Sequence, residues 1–343
     1  MMKNSFLFIS FLIFISCNDS SQTFENLFTD KFTGINTVSY TDVTYAGGKD
    51  TVLVTTYSGR MAFRYKNNSE EKVLAQLNDE IYVVKYNPVE KHVALSTMGF
   101  GVVVIDVTKG KELYKLPLQN TWSLSMGYSE DFNYLFATDQ KGNRFLWSVK
   151  DNYESKTLPE NLPKGFIVGM DNNTIKLKGT GKIIYWNISN NSLVKEIPVF
   201  KGSFEDMDEK GNVLTINRDT FTLFNTKKDS VEYSHQHPGW LRPKEDFNEK
   251  DFQEFKEAGI VEENGYYDIP GFHLPLTCAR FGKKNIYTSG ADRSIRIWDK
   301  DKGELIGVLT GHKATVNQVD VCGDKTQLVS VDLKGGIRFW DIQ

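Results

Sequence analysis

The chain has 343 residues, of which 40% are hydrophobic and 25% charged, with a formal net charge of −3. That balance suits a globular protein with a large core. With no basic run, it excludes the electrostatic footprint of a nucleic-acid binder.

Residues 1–16 read first. After MMKNS, the run FLFISFLIFI is polar only at Ser10, and a polar NDSSQ stretch follows Cys17. A run this short is a signal-peptide core, since a membrane span needs about 20 apolar residues. FISC resembles the lipobox of bacterial lipoproteins, with Ser16 as the small residue and Cys17 as the modified cysteine; Phe14 stands where Leu is usual. The resemblance implies cleavage before Cys17, lipidation of Cys17, and a short tether over 17–22.

Beyond the tether one pattern returns along the whole chain. A glycine- or polar-bearing turn leads into alternating apolar residues, which end in a large side chain followed by a polar one. TSGADRSIRIWD (288–299) is the fullest copy; YSGRMAFRYK, MGFGVVVIDV, QKGNRFLWSV, GTGKIIYWNI, NRDTFTLFNT and LKGGIRFWDI are the others. Their anchors, Tyr65, Ile105, Trp147, Trp186, Phe224, Trp298 and Trp340, lie 40, 42, 39, 38, 74 and 42 residues apart. Upstream of the anchors, segments such as VVKYNPVEKHVALST read strand, turn, strand. Short strands at even spacing predict antiparallel β structure in repeated units.

These copies resemble the WD-repeat β-propeller family over about residues 23–343, most closely in the last two units, which add Gly311-His312. The resemblance implies an all-β, seven-bladed propeller of four strands per blade. It implies structural roles for Thr288, Asp292 and Trp298 in blade six and for His312, Ser330 and Trp340 in blade seven. His273 is only a loose match for the blade-six histidine, and Lys334 stands where blade seven should carry Asp. The last blade reads as three strands, so a strand near 23–28 is expected to complete it and close the ring.

The one long gap holds an insertion, 235–271, between blades five and six. DSVEYS (229–234) reads as the fourth strand of blade five. Asn248 is placed to cap a helix that runs through Ala258 and stops at Gly259, with Phe252 and Phe255 on one face. From 241 to 268 there are nine acidic and four basic residues. Family topology puts this insertion on the top face, pointing away from a membrane reached by the tether, which spans roughly 20 Å.

Trp240, Arg242, Tyr266 and Tyr267 in the insertion, with Trp122 before blade three, are the candidate partner-binding residues, because aromatic and arginine side chains anchor interfaces. Packing of the same aromatics against the propeller is the structural alternative. His235 and His237 form an H-x-H pair, but no Cys or carboxylate has metal spacing with it, so no metal and no cofactor are expected. Cys278 and Cys322 could pair in an oxidising envelope, but their sequence contexts differ, and buried free thiols are the favoured reading. The sequence holds no G-x-S-x-G elbow, P-loop or dinucleotide fingerprint, so no catalytic residue is assigned. The expectation is a non-enzymatic, monomeric scaffold on a bacterial cell membrane or outer membrane. It would bind the bilayer through Cys17 and an envelope protein through its top face. A glycan-binding lipoprotein using Trp240, Tyr266 and Tyr267, and an envelope enzyme near His235 and His237, are the alternatives.

Overall fold

Valine, leucine and threonine fill segments such as TVLVTT (51–56), and tight polar turns separate such segments, so the backbone satisfies itself as antiparallel meanders. The computed structural model describes residues 38–118, 122–123, 125–199 and 202–342. The expected signal peptide, Cys17, the tether 17–22 and the closing strand 23–28 lie outside these residues.

The first sheet is β1 (Tyr40–Tyr45), β2 (Thr51–Thr56), β3 (Arg60–Tyr65) and β4 (Asn68–Gln76). The second is β5 (Ile81–Asn87), β6 (His92–Thr97), β7 (Val102–Asp106) and β8 (Lys111–Leu116). The third is β9 (Ser125–Tyr128), β10 (Tyr134–Thr138), β11 (Arg144–Ser148) and the short β12 (Glu154–Ser155). The fourth is β13 (Phe166–Asp171), β14 (Thr174–Gly179), β15 (Lys182–Asn187) and β16 (Ser192–Pro198). The fifth is β17 (Ser203–Met207), β18 (Val213–Asn217), β19 (Thr220–Asn225) and β20 (Ser230–Gln236). An inserted three-stranded sheet follows: β21 (Trp240–Pro243), β22 (Glu262–Glu263) and β23 (Tyr266–Ile269), with helix α1 (Glu249–Glu257) between β21 and β22. The sixth sheet is β24 (Leu276–Phe281), β25 (Asn285–Gly290), β26 (Ile295–Asp299) and β27 (Leu305–Leu309). The last is β28 (Val316–Val321), β29 (Gln327–Asp332) and β30 (Ile337–Asp341), three strands among the described residues. This series of four-stranded antiparallel sheets is consistent with a β-propeller. Among the described residues no helix is long and apolar enough to cross a membrane.

A β-strand presents alternate residues to opposite faces, and here each face meets a different neighbour. Leu53 packs with Val84 and Leu95 of the second sheet, whereas Val52 and Val54 pack with Val329 and Val331 of the last. Val103 and Ile105 join the first sheet; Val102 and Val104 join Leu135 and Trp147 of the third. Similar seams join the third to the fourth, the fourth to the fifth, the fifth to the sixth and the sixth to the last. Burying a large apolar side chain in such a seam contributes about 1.5–3 kcal/mol.

Strand register corrects one anchor. Ile286 pairs with Trp298, and the matching residue of the first sheet, Val52, pairs with Arg64 rather than Tyr65. The position holds Arg64, whose guanidinium donates to the Tyr40 hydroxyl at 2.7 Å and lies 3.4 Å from Glu71. Tyr65 points to the other face, beside Phe63. The remaining six anchors occupy the equivalent place in their third strands.

Candidate interaction face

In a four-stranded meander, the entry to the first strand and the hairpin between the second and third strands share one end. The insertion enters between β20 and β24, so it sits at that end. β20 continues through Gln236, which places His235 in the strand and starts the insertion at His237.

The insertion has a small core of its own. Asn248 caps α1 through a capping box with Asp251, and Gly259 follows the helix at φ 72°. Phe252 and Phe255 share a face, and that face covers Tyr267, with ring centroids 5.8 and 4.9 Å away; Phe247 closes the cluster at 5.7 Å. Tyr267 is 8% exposed. It is therefore the centre of this core and not a contact for a partner, which corrects its assignment as a binding residue. Trp240 and Tyr266 remain half-buried. The Arg242 guanidinium lies 4.6 Å over the Trp240 and Phe247 rings and donates to Asp246 Oδ2 at 3.0 and 3.2 Å. Phe272, which the sequence did not single out, is 57% exposed and packs beside Trp240.

Sheet six holds the insertion through a buried polar chain. Trp298 Nε1 donates to Thr288 Oγ1 at 2.8 Å, and His237 Nε2 lies 2.7 Å from the same oxygen. Arg296, 1% exposed, donates through Nη1 to His237 Nδ1 (2.7 Å) and Asp292 Oδ2 (2.8 Å), and through Nη2 to the Gly239 carbonyl (3.1 Å). His237, not His273, is thus the histidine of this sheet; His273 Nδ1 lies 2.9 Å from the His237 carbonyl. Asp292 pairs with Arg296 and Ser294 rather than with a histidine. Burial, then the Arg296 charge, hold the His237 imidazole well below its ordinary pKa. Burial pushes the Asp292 carboxyl up, against the pull of Arg296 and Ser294. His235 stacks on Trp298 with ring planes 5° apart. Among the described residues no cluster of three or more His, Cys, Asp or Glu could hold a metal.

The last sheet repeats the arrangement with different parts. Trp340 Nε1 donates to Ser330 Oγ (2.8 Å), His312 Nε2 meets Ser330 Oγ (2.7 Å), and His312 Nδ1 meets Asp332 Oδ2 (2.8 Å). Lys334 does not interrupt this chain, because its acceptor has moved two residues back to Asp332. The space comes from Gly336, which stands where sheet six has Ser294: a Cβ at 336 would collide with the Asp332 carboxylate. Burial raises the Asp332 pKa, but hydrogen bonds from His312 and from the Gly336 and Lys334 amides outweigh it, and the net shift is downward.

Trp122 lies away from the insertion. It stacks on Tyr82 at 5.1 Å, and Tyr82 meets Tyr57 edge-on at 5.6 Å. The binding candidates are therefore not one patch. Cys278 and Cys322 are free and buried, and burial pushes the Cys278 thiol up to about 12.

The first strands of all seven large sheets line one cavity of about 1310 Å³, touched by Asp42, Lys85, Ser125, Glu130, Lys178, Glu205, Asp206, Arg280 and Gln318 among others. Burial raises Glu205 to about 6, with Arg280 opposing. Two aspartates on equivalent rungs join neighbouring sheets. Asp206 accepts from the Met207 and Phe281 amides at 2.8 Å, and Asp320 accepts from the Val321 and Tyr45 amides at 3.0 Å. The second of these ties the last sheet to the first.

In sheet six and in the last sheet a tryptophan, a hydroxyl and a histidine are joined by hydrogen bonds in the same order. Residues 271–299 and 303–341 match the family described as WD domain, G-beta repeat, so the chain carries WD repeats. Human WD repeat domain-containing protein 83 is 38% identical over 72 residues, 20% of this chain and 23% of that protein. Cilia- and flagella-associated protein 52 of Chlamydomonas reinhardtii is 34% identical over 58 residues, 17% of this chain and 9% of that protein. The chain thus matches less than a quarter of the length of these relatives. WD repeats generally mediate protein–protein interaction and are typically non-enzymatic.

Proposed function

We propose that this protein is a membrane-tethered, non-enzymatic scaffold: a closed ring of seven blades that presents its insertion to a protein partner in a bacterial cell envelope. The observation that carries the reading is the insertion itself. It has its own aromatic core around Tyr267, it is held to sheet six by a fully buried arginine, and it leaves Phe272 and part of Trp240 open to solvent. A rigidly held aromatic surface of this kind suits an interface anchor. The single seven-sheet cavity, the Val52–Val331 seam and the Asp320–Tyr45 bond support ring closure.

A strand from 23–28 pairing with β30 would run toward Val38, which sits beside Gly335 at the insertion end. Its start, and the Cys17 lipid, would then lie at the opposite end, and the insertion would face away from the bilayer.

A photo-crosslinking residue at Phe272 in living cells tests the reading. We expect a discrete protein neighbour that is lost in Trp240→Ala and kept when the same substitution strategy is applied to exposed Val73 on an outer strand. An unchanged set of neighbours in Trp240→Ala would remove the insertion as the binding surface. Release of the protein from membranes by Cys17→Ser tests the anchor separately.

A further inference from the structure

The hydrogen-bond directions around His237 determine its protonation. A guanidinium only donates, so the Arg296 contact at 2.7 Å makes His237 Nδ1 an acceptor. The proton then sits on Nε2 and points to Thr288 Oγ1, which also accepts from Trp298. The closed arrangement requires a neutral imidazole. The histidine of the last sheet has the reverse polarity: its Nδ1 donates to the Asp332 carboxylate.

We infer that His237 and Arg296 form an acid-sensitive latch, which frees the insertion from sheet six when the imidazole takes up a proton while the ring stays folded. An imidazolium has no acceptor at Nδ1, so the Arg296 bond is lost and two cations face each other in a buried site. The latch is also where the insertion leaves the sheet. Arg296 holds the Gly239 carbonyl, and the His237 amide donates to the Asp219 carbonyl at 2.8 Å. Two further ties are the half-exposed Arg293–Asp246 contact at 3.4 Å and, where the segment enters β24, the Ala291 amide donating to the Pro275 carbonyl at 3.0 Å.

The groups facing His237 are few. From β25 comes Thr288, from β26 Arg296 and Trp298, and from the segment entering β24 comes His273, bonded to the His237 carbonyl. On the preceding strand, β20, His235 stacks on the same tryptophan, and Asp219 lies across from His237, accepting from its amide. Asp292 faces Arg296 from the other side. Protonating buried Asp292 removes a buried charge, so it holds the closed form and opposes the latch; its effect has to be subtracted.

The open form carries a histidine with an ordinary pKa near 6.5 and the closed form one that stays neutral. The open population therefore rises about tenfold per pH unit below that value. Amide exchange of the full chain, corrected for its intrinsic pH dependence, reads this directly. Protection across 238–275 is expected to fall by about tenfold per unit between roughly pH 6 and 4.5, with β1–β16 unchanged. His237→Gln keeps an acceptor and a donor without a titrating ring and retains Asp292, so its protection is expected not to fall over this range, and any rise it shows is the Asp292 contribution to subtract. A flat wild type, a parallel loss in all sheets, or a His237→Gln response equal to the wild type would each overturn the latch. If His237→Gln does not fold, NMR titration of the wild-type His237 ring decides. A ring that titrates near pH 6.5 with no change at the Trp240 indole would overturn it, and loss of both signals together would support it.

Discussion

The bond between the last sheet and the first gives the sharpest test of a closed ring. Asp320 and Asp206 occupy equivalent rungs of β28 and β17, and each accepts one amide of its own strand and one of the neighbouring sheet. Asp206→Ala cuts an internal junction, between sheets five and six. Asp320→Ala cuts the junction between the two ends of the chain. A hydrogen bond to a charged acceptor is worth about 1.5–3 kcal/mol, so two amides lose about 3–6 kcal/mol in gross terms. Part of this returns, because the carboxylate no longer has to be kept from water and the cavity lets water reach the orphaned amides. A net cost of about 2 kcal/mol is expected for each variant. In urea, with a slope of about 4 kcal/mol/M for a chain of this size, each midpoint should fall by roughly 0.5 M. An open stack would feel Asp206→Ala in full and Asp320→Ala hardly at all, since its end sheets could part without unfolding. A midpoint shift for Asp320→Ala less than half that of Asp206→Ala would refute the closed ring.

Thr288→Val keeps the shape but leaves the Trp298 and His237 N–H groups unpaired in a buried site; a loss of about 2–4 kcal/mol is expected by chemical denaturation, against under about 1 kcal/mol for Thr288→Ser. Tyr267→Ala should melt the insertion alone: proteolysis within 244–265 becomes faster while the main unfolding transition moves little. Asp332 has its pKa lowered on folding, so its contribution is complete above the ordinary carboxylate range and is lost as the pH falls through the folded value; Asp332→Asn should flatten that acid limb of stability against pH. Cys278, with its thiol pushed up to about 12 in a fully buried site, should resist a thiol reagent at pH 8 until the chain unfolds.

The repeat could be read from the chain because a strand writes its two faces into alternate residues, and each of the seven sheets uses the same alternation. The anchors Ile105, Trp147, Trp186, Phe224, Trp298 and Trp340 all fall in third strands for this reason. Tyr65 misled because the true position, Arg64, is polar. Its burial depends on Tyr40 and Glu71, which no local pattern links to it. Phe272 escaped notice as a single aromatic in a proline–glycine loop, where only the folded insertion shows which rings are covered.

By itself the sequence determined the nearly all-β class of structure, built from repeated short strands, and the capped helix after Asn248. These follow from local periodicity, capping chemistry and composition, which act within a few residues of chain. Only the tertiary structure decided that His237 rather than His273 completes sheet six, that Asp332 replaces the missing acceptor beside Lys334, and that Tyr267 is core while Phe272 is surface. Each of those depends on groups brought together from distant parts of the chain, where a two-residue shift of an acidic side chain, made possible by one glycine, preserves the contact and erases its spacing.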